Sequence, residues 1–208
     1  MVQKAVVRGR PRSFDTDEVL GRARDTFWRH GFAGTSMDQL SAATGLHKPS
    51  LYGAFGDKKK LYLAALDNYL ADIRAGFAEA FALPDLFESL QAMSEAATHK
   101  FTQIDSGHGC FMMATAVPEA AGDPDIMKVV RDALDSLDRA FVRRFERAIE
   151  AGQLPAGSDA GMLATIMVAN HYNISARARA GYSLEELRAM GARALETIRA
   201  LSRAAPEA

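Results

Sequence analysis

Two sets of residues in this 208-residue chain are of types that could do chemistry. The first is a concentration of cations near the N-terminus: Lys4, Arg8, Arg10, Arg12, Arg22, Arg24, Arg29, Lys48, Lys58, Lys59 and Lys60. Against these eleven basic groups stand six acids in residues 1–60 (Asp15, Asp17, Glu18, Asp25, Asp38, Asp57), a balance of +5. The other 148 residues hold 14 basic and 20 acidic groups, a balance of −6, so the formal total of −1 conceals a polarity. A basic head on an acidic body is suited to meet a polyanion at one end only. The second set centres on Cys110, the single cysteine, in Gly107-His108-Gly109-Cys110-Phe111. A helix N-terminus or a neighbouring histidine could lower a thiol pKa and make it a nucleophile or a redox sensor. Covalent catalysis also needs an oriented base and an oxyanion site, and no third group can be assigned. A buried packing cysteine is the favoured reading.

Other chemistries find no pattern. No His/Cys/Asp/Glu cluster has zinc spacing, no glycine loop suits a nucleotide, and one cysteine allows no disulfide framework. Neither a metal nor a cofactor is expected. No apolar run approaches the roughly 18–20 residues that span a bilayer, and the N-terminus lacks the apolar core of a secretory signal. With 48% hydrophobic and 25% charged residues the chain has the composition of a soluble globular protein. A cytoplasmic, mostly helical protein is expected.

The elements that must position the cations are short. Asp15 and Glu18 predict a capping box, with Phe14 and Val19 as its hydrophobic staple. Val19, Leu20, Ala23 and Phe27 then recur at helical spacing until Gly31. Thr35 or Ser36 caps a second helix, Gln39 completing a box with Ser36, and Met37, Leu40 and Ala43 face inward before Gly45 stops it. A third helix runs from Lys48 to Phe55, with Pro49 tolerated in the first turn. Asp57 caps a long fourth helix that starts with three lysines and continues through Leu61, Ala65, Leu66 and Tyr69. Two short helices around a glycine turn, with a basic arm ahead and a lysine cluster behind, form a helix-turn-helix pattern.

The run Phe27-Trp28-Arg29-His30-Gly31-Phe32-Ala33-Gly34-Thr35-Ser36-Met37-Asp38-Gln39-Leu40 resembles the start of a TetR-family (tetracycline-repressor-like) DNA-binding domain. Ala42-Ala43-Thr44-Gly45-Leu46-His47-Lys48-Pro49-Ser50-Leu51-Tyr52-Gly53-Ala54-Phe55-Gly56-Asp57-Lys58 continues the likeness, which covers about residues 13–66. The resemblance implies that Thr35 and Ser36 hold a phosphate and that Lys48, Pro49, Ser50 and Tyr52 form the recognition surface. It further implies that Lys58 grips a phosphate and that Arg10 and Arg12 belong to an arm that enters the minor groove in some members. Two departures stand out. His47 replaces a common Ser or Thr cap, so the cap is weaker or made by an imidazole, and Lys60 replaces a common acid. Leu40, Ala43, Leu51 and Phe55 are read as core, and Lys59 and Lys60 as solvated or weak phosphate neighbours.

The body supplies further helical patterns. Leu86, Leu90, Met93, Ala97, Phe101 and Ile104 form one stripe, and Cys110 to Val117 a short apolar stretch. A long helix capped by Asp123 and Pro124 runs through Ile126, Val130, Leu134, Leu137, Phe141, Phe145 and Ile149 to Gly152. Met162 to Ala169 is apolar nearly all round, which predicts burial on every side. The last helix follows the box Ser183-Leu184-Glu185-Glu186 and carries Leu187, Met190, Ala194, Ile198 and Leu201. Gly191, Ala192 and Ala194 would allow close helix approach, and the family resemblance implies that the last two helices form a four-helix dimer bundle. Met93, Phe101, Cys110, Met113, Met127, Met167 and His171 are candidates to line an adaptable apolar effector pocket.

The expectation is therefore an all-α protein: a basic arm (1–12), a three-helix helix-turn-helix domain (13–60) and a helical-bundle effector and dimerisation domain (61–208). Its expected function is a DNA-binding regulator, a homodimer on a palindromic operator in double-stranded DNA, released as a repressor by a small-molecule effector. The alternatives are a redox-responsive regulator acting through Cys110 and a small helical cysteine-dependent enzyme.

Overall fold

The computed structural model describes residues 14–102 and 109–204, all helical apart from turns and loops. The first helix, α1 (Thr16–Gly34), begins where Asp15 accepts the Asp17 and Glu18 amides. The expected reciprocal half of that box is not made, because the Glu18 carboxylate pairs with Arg22 one turn on. Gly31 leaves helical geometry at φ 72°, so the regular helix stops at the expected residue and a short extra turn follows. Helix α2 (Met37–Thr44) carries a complete capping box between Ser36 and Gln39, and α3 (Lys48–Phe55) follows the Gly45 turn. The His47 side chain makes no capping bond, so of the two expected forms of this cap the weaker one is present.

Helix α4 (Lys58–Phe81) runs on without a break through the expected boundary after residue 60. Its first half packs against α1 and its second half against the body, so head and body share one rod. The body continues with α5 (Leu86–Thr102), whose stripe matches expectation up to Phe101; Ile104 lies outside the described residues. Cys110 to Val117 forms a π-helical turn (Met112–Ala116) leading into α6 (Val117–Ala120). Then come α7 (Pro124–Glu150), α8 (Ala160–Arg179) and α9 (Leu184–Ala204), with α7 against α8 and α5 against α9.

Head and body meet in an aromatic cluster. Phe111, fully buried, lies 5.4 Å from Trp28 of α1 and 5.9 and 5.6 Å from Tyr62 and Tyr69 of α4, ring centre to ring centre. The Tyr62 hydroxyl bonds the Thr115 hydroxyl at 2.8 Å beside it. Gly109 permits this seating: at φ 87° it passes so close to α8 that a Cβ would stand 2.6 Å from the Ser175 carbonyl oxygen. The next amide, of Cys110, donates to the Ser175 hydroxyl at 2.8 Å. A second lock joins α4's end to α5 and α7. Arg144, only 3% exposed, donates to the Ser89 hydroxyl and to the carbonyls of Leu83 and Pro84.

Within one subunit α8 keeps an open side, with Met162, Thr165 and Ala169 exposed and Ile166 half-buried, so burial on every side would take a second copy. Gly191 turns inward rather than toward a partner. A Cβ there would meet the Ser94 hydroxyl at 2.4 Å, so the glycine lets α9 approach α5 within the subunit. The open face is instead a groove between α8 and α9, lined by Ile166, Asn170, Asn173, Met190, Ala194 and Thr197.

Candidate DNA-binding face and ligand cavity

The exposed face of the head is built from the α2 start and α3. Ser36, Pro49, Ser50 and Tyr52 are exposed, Tyr52 at 49%, and Lys48 is half-exposed. The Ser36 oxygen accepts the Gln39 amide, which leaves its hydroxyl proton free to donate to an anion. Thr35 differs. It is 2% exposed and its hydroxyl donates to the Gly31 carbonyl at 2.6 Å, so its proton is committed inside the fold. Of the two residues expected to hold a phosphate, Ser36 has its hydroxyl proton free, whereas that of Thr35 is spent within the fold. Leu40 and Leu51 are buried beneath this face, whereas Ala43 and Phe55 are only half-buried.

The lysines divide by partner. Lys58 donates to the carbonyls of Phe32 (3.0 Å) and Thr35 (2.9 Å) and lies 4.6 Å from the centre of the Phe32 ring. It closes the loose end of α1, and its ammonium stands beside Ser36 with one of three protons uncommitted. Lys48 pairs with Asp38 at 2.6 Å, which ties α3 to α2. Lys59, expected to be solvated or a weak phosphate neighbour, instead bridges Asp123 (2.8 Å) and Asp125 (2.6 Å) at the start of α7. Those hydrogen bonds raise the Lys59 pKa above its usual value and lower that of Asp123. Lys60 is exposed. Arg10 and Arg12 lie outside the described residues.

The body holds a cavity of about 720 Å³ between α4, α5, α7 and α8. Its buried wall comprises Tyr69, Phe77 and Phe81 of α4, Phe101 of α5, Cys110, Met112 and His171 of α8. Arg74 of α4 and Arg143, Glu146, Arg147 and Glu150 of α7 stand exposed at its rim. Of the seven residues expected to line a pocket, Phe101, Cys110 and His171 do so. Met93 and Met167 border a small void behind His171 instead. Met113 and Met127 do not line the cavity: Met112 takes the inward position in the π-helical turn, and Met127 is 39% exposed on the outer side of α7. The sequence reading missed the α4 wall, whose aromatic residues look like ordinary core at helical spacing.

Burial governs the titratable groups here. His171 is pushed down to about 4 by loss of solvent, so its imidazole is neutral at pH 7. Cys110 is driven above the usual thiol range by burial, and it accepts a 3.5 Å hydrogen bond from the Tyr69 hydroxyl. A thiol in that setting is protonated, whereas nucleophilic or redox chemistry calls for a lowered pKa. His108, the nearest base in sequence, lies outside the described residues.

Comparison with known proteins agrees with this geometry. Residues 19–65 match the family model of bacterial regulatory proteins, tetR family, and residues 87–192 that of the tetracyclin repressor-like C-terminal domain. The chain is 33% identical over 182 residues to the HTH-type transcriptional repressor ComR of Escherichia coli (strain K12), covering 86% of this chain and 87% of that one. It is 27% identical over 202 residues to the HTH-type transcriptional repressor BdcR of the same strain, covering 94% of each. Among solved structures, a cysteine mutant of the TetR family transcriptional regulator CifR, complexed with 26-bp double-strand operator DNA, superposes with a TM-score of 0.80. That chain is 31% identical, over 90% of this chain and 98% of its own length.

Proposed function

This chain belongs to the tetR family of bacterial regulatory proteins, and from that premise we propose a homodimeric repressor released from a palindromic operator by an effector bound in the α4–α7 cavity. It is a helix-turn-helix transcriptional regulator and not an enzyme. In the proposed complex, α3 enters the major groove in the cytoplasm with Lys48, Pro49 and Ser50 toward base edges. Tyr52, Ser36 and the remaining proton of Lys58 hold phosphates, and Arg10 and Arg12 reach the minor groove. Two heads on a two-fold axis are needed because one reads too few base pairs. The open α8–α9 groove, with exposed Met162 and Leu201 beside it, is the face that a second copy would cover.

One observation carries the regulatory part: α4 is both the rod that bears the head and a wall of the cavity. The Lys59 bridge to Asp123 and Asp125 pins the first turn of α4 to the first turn of α7, the opposite wall. A ligand that parts α4 from α7 at Phe77 and Leu137 turns α4 about that pin and re-aims the head. Such a ligand favours the conformation whose two heads no longer match the half-site spacing, and it lowers operator affinity by that preference. Selection of binding sites from random duplexes tests the reading. It should recover a palindrome, bound with a slope of log K against log salt of about −4 to −7. Recovery of no palindrome, or a slope near zero, would sink it.

A further inference from the structure

The cavity is polar at one point in its depth. His171 is 7% exposed and its ring sits among aromatic neighbours: Phe101 at 5.2 Å, Tyr172 at 5.4 Å and Phe77 at 5.5 Å between ring centres. Neither ring nitrogen has a hydrogen-bond partner among the described residues, and the same holds for the neighbouring Tyr172 hydroxyl, which also lines the cavity. Other polar groups at the inner wall are spent: the Tyr69 hydroxyl goes to Cys110, and the Cys110 amide to Ser175. His171 and Tyr172 therefore present a free acceptor and a free donor to whatever fills the cavity, which suits one group that both donates and accepts.

Charge is absent from that depth. Buried lining residues include no carboxylate, lysine or arginine; the five charged side chains of both signs all stand at the exposed rim. In the unliganded cavity burial also keeps His171 neutral. An ion carried to the inner wall would lose its hydration with no charged lining residue to offset it. Aromatic walls from Tyr69, Phe77, Phe81 and Phe101 suit a ring, since aromatic groups pack favourably against one another.

We infer that the cavity takes an uncharged, ring-bearing molecule whose hydroxyl group bonds His171 and Tyr172 at the inner wall, with its apolar body lying along α4 toward the rim. The inference rests on the cavity being the effector site, and it narrows that reading to a ligand class: phenols and ring alcohols, to the exclusion of carboxylates and amines of the same skeleton.

Three probes on one skeleton test it: 2-naphthol, naphthalene and 2-naphthoate, titrated calorimetrically at neutral pH into the full-length protein. 2-Naphthol should bind about tenfold more tightly than naphthalene, the worth of a hydrogen bond to an otherwise unpaired group, and at least about tenfold more tightly than 2-naphthoate. In His171→Phe the preference for 2-naphthol over naphthalene should collapse to about one. His171→Gln, which keeps a donor and an acceptor, should preserve it, and it serves also if the Phe variant fails to fold. Tighter binding of 2-naphthoate, no binding of any probe, or a 2-naphthol preference that survives in folded His171→Phe would overturn the assignment. Operator binding read in parallel separates the two levels. The expected binding pattern without loss of operator affinity keeps the ligand class and refutes effector release, whereas release by 2-naphthoate alone keeps release and overturns the class.

Discussion

At one end of α4 the described side chains proposed to meet DNA come from a short stretch, Ser36 to Lys58, and most face solvent. Toward the other end, the cavity gathers its wall from α4, α5, α7, α8 and the turn at Cys110, with most of the groups buried. The head therefore works with charges and hydroxyls at the water-exposed surface, held in place by caps and by the Lys58 contacts. The body works by withholding water, which keeps Cys110 protonated and His171 neutral. The head's surface can change residue by residue with little cost to the fold. A change in the cavity wall alters packing, polarity and the position of α4 together.

The sharpest test of that contrast is the joint between the two regions. Phe111→Ala should cost about 3–5 kcal/mol of unfolding free energy, the usual loss for a buried phenylalanine in a core. Urea unfolding should remain one transition for the head, followed by Trp28 fluorescence, and for the body, followed by circular dichroism. If the head melted separately, the shared-rod description would fail.

A smaller effect is expected at the DNA face. Tyr52→Phe combined with Lys58→Ala removes two phosphate donors and should weaken operator binding about thirtyfold to a hundredfold. The loss should be the same for all sequences, with a shallower salt slope, in electrophoretic-mobility titrations. Ser50→Ala should instead change which base is preferred. A sequence-dependent loss in the double variant would place Tyr52 or Lys58 at a base edge.

In the body, His171 should give stability a pH dependence of its own. Its folded pKa lies near 4, below the unfolded value of 6.5, so the unfolded chain binds the proton more readily. The contribution is complete above about pH 6.5 and is lost as pH falls toward 4, amounting to about 2 kcal/mol between pH 7.5 and pH 5. Chemical denaturation of wild type and His171→Gln at both pH values isolates this difference. An identical pH response in the two proteins would show that the ring is not buried neutral.

The smallest effect on stability belongs to the Lys59 bridge, where exposed pairs contribute little. Lys59→Met should leave the unfolding midpoint and unliganded operator binding nearly unchanged. Effector-induced release, measured as the ratio of operator affinities with and without 2-naphthol, should fall several-fold because α4 loses its pin. An unchanged ratio would remove the bridge from the coupling route.

The head was legible in detail because its signals are local. Ser36 and Gln39 form their box three residues apart, Gly31 and Gly45 mark helix ends, and Asp57 caps α4, each fixed by backbone bonds within a turn. Even there, the fate of Thr35 and Lys58 escaped the sequence, since one depends on a carbonyl four residues back and the other on a carbonyl 26 residues back at the end of α1. Periodicity located the body helices, because an apolar stripe marks a helix whatever it packs against. It could not say which residues face a void, as Phe77 and Phe81 have the same spacing in a filled core as in a cavity wall.

The sequence by itself determined the helices and the basic head, encoded in spacings of a few residues, and the motif run of residues 27–58 carried the resemblance to the family. Only the tertiary structure decided that Lys59 is paired with α7, that Gly191 faces α5, and that His171 is neutral beside an open cavity. Those outcomes follow from burial and from meetings between residues 60 to 100 positions apart, which the order of residues along the chain does not display.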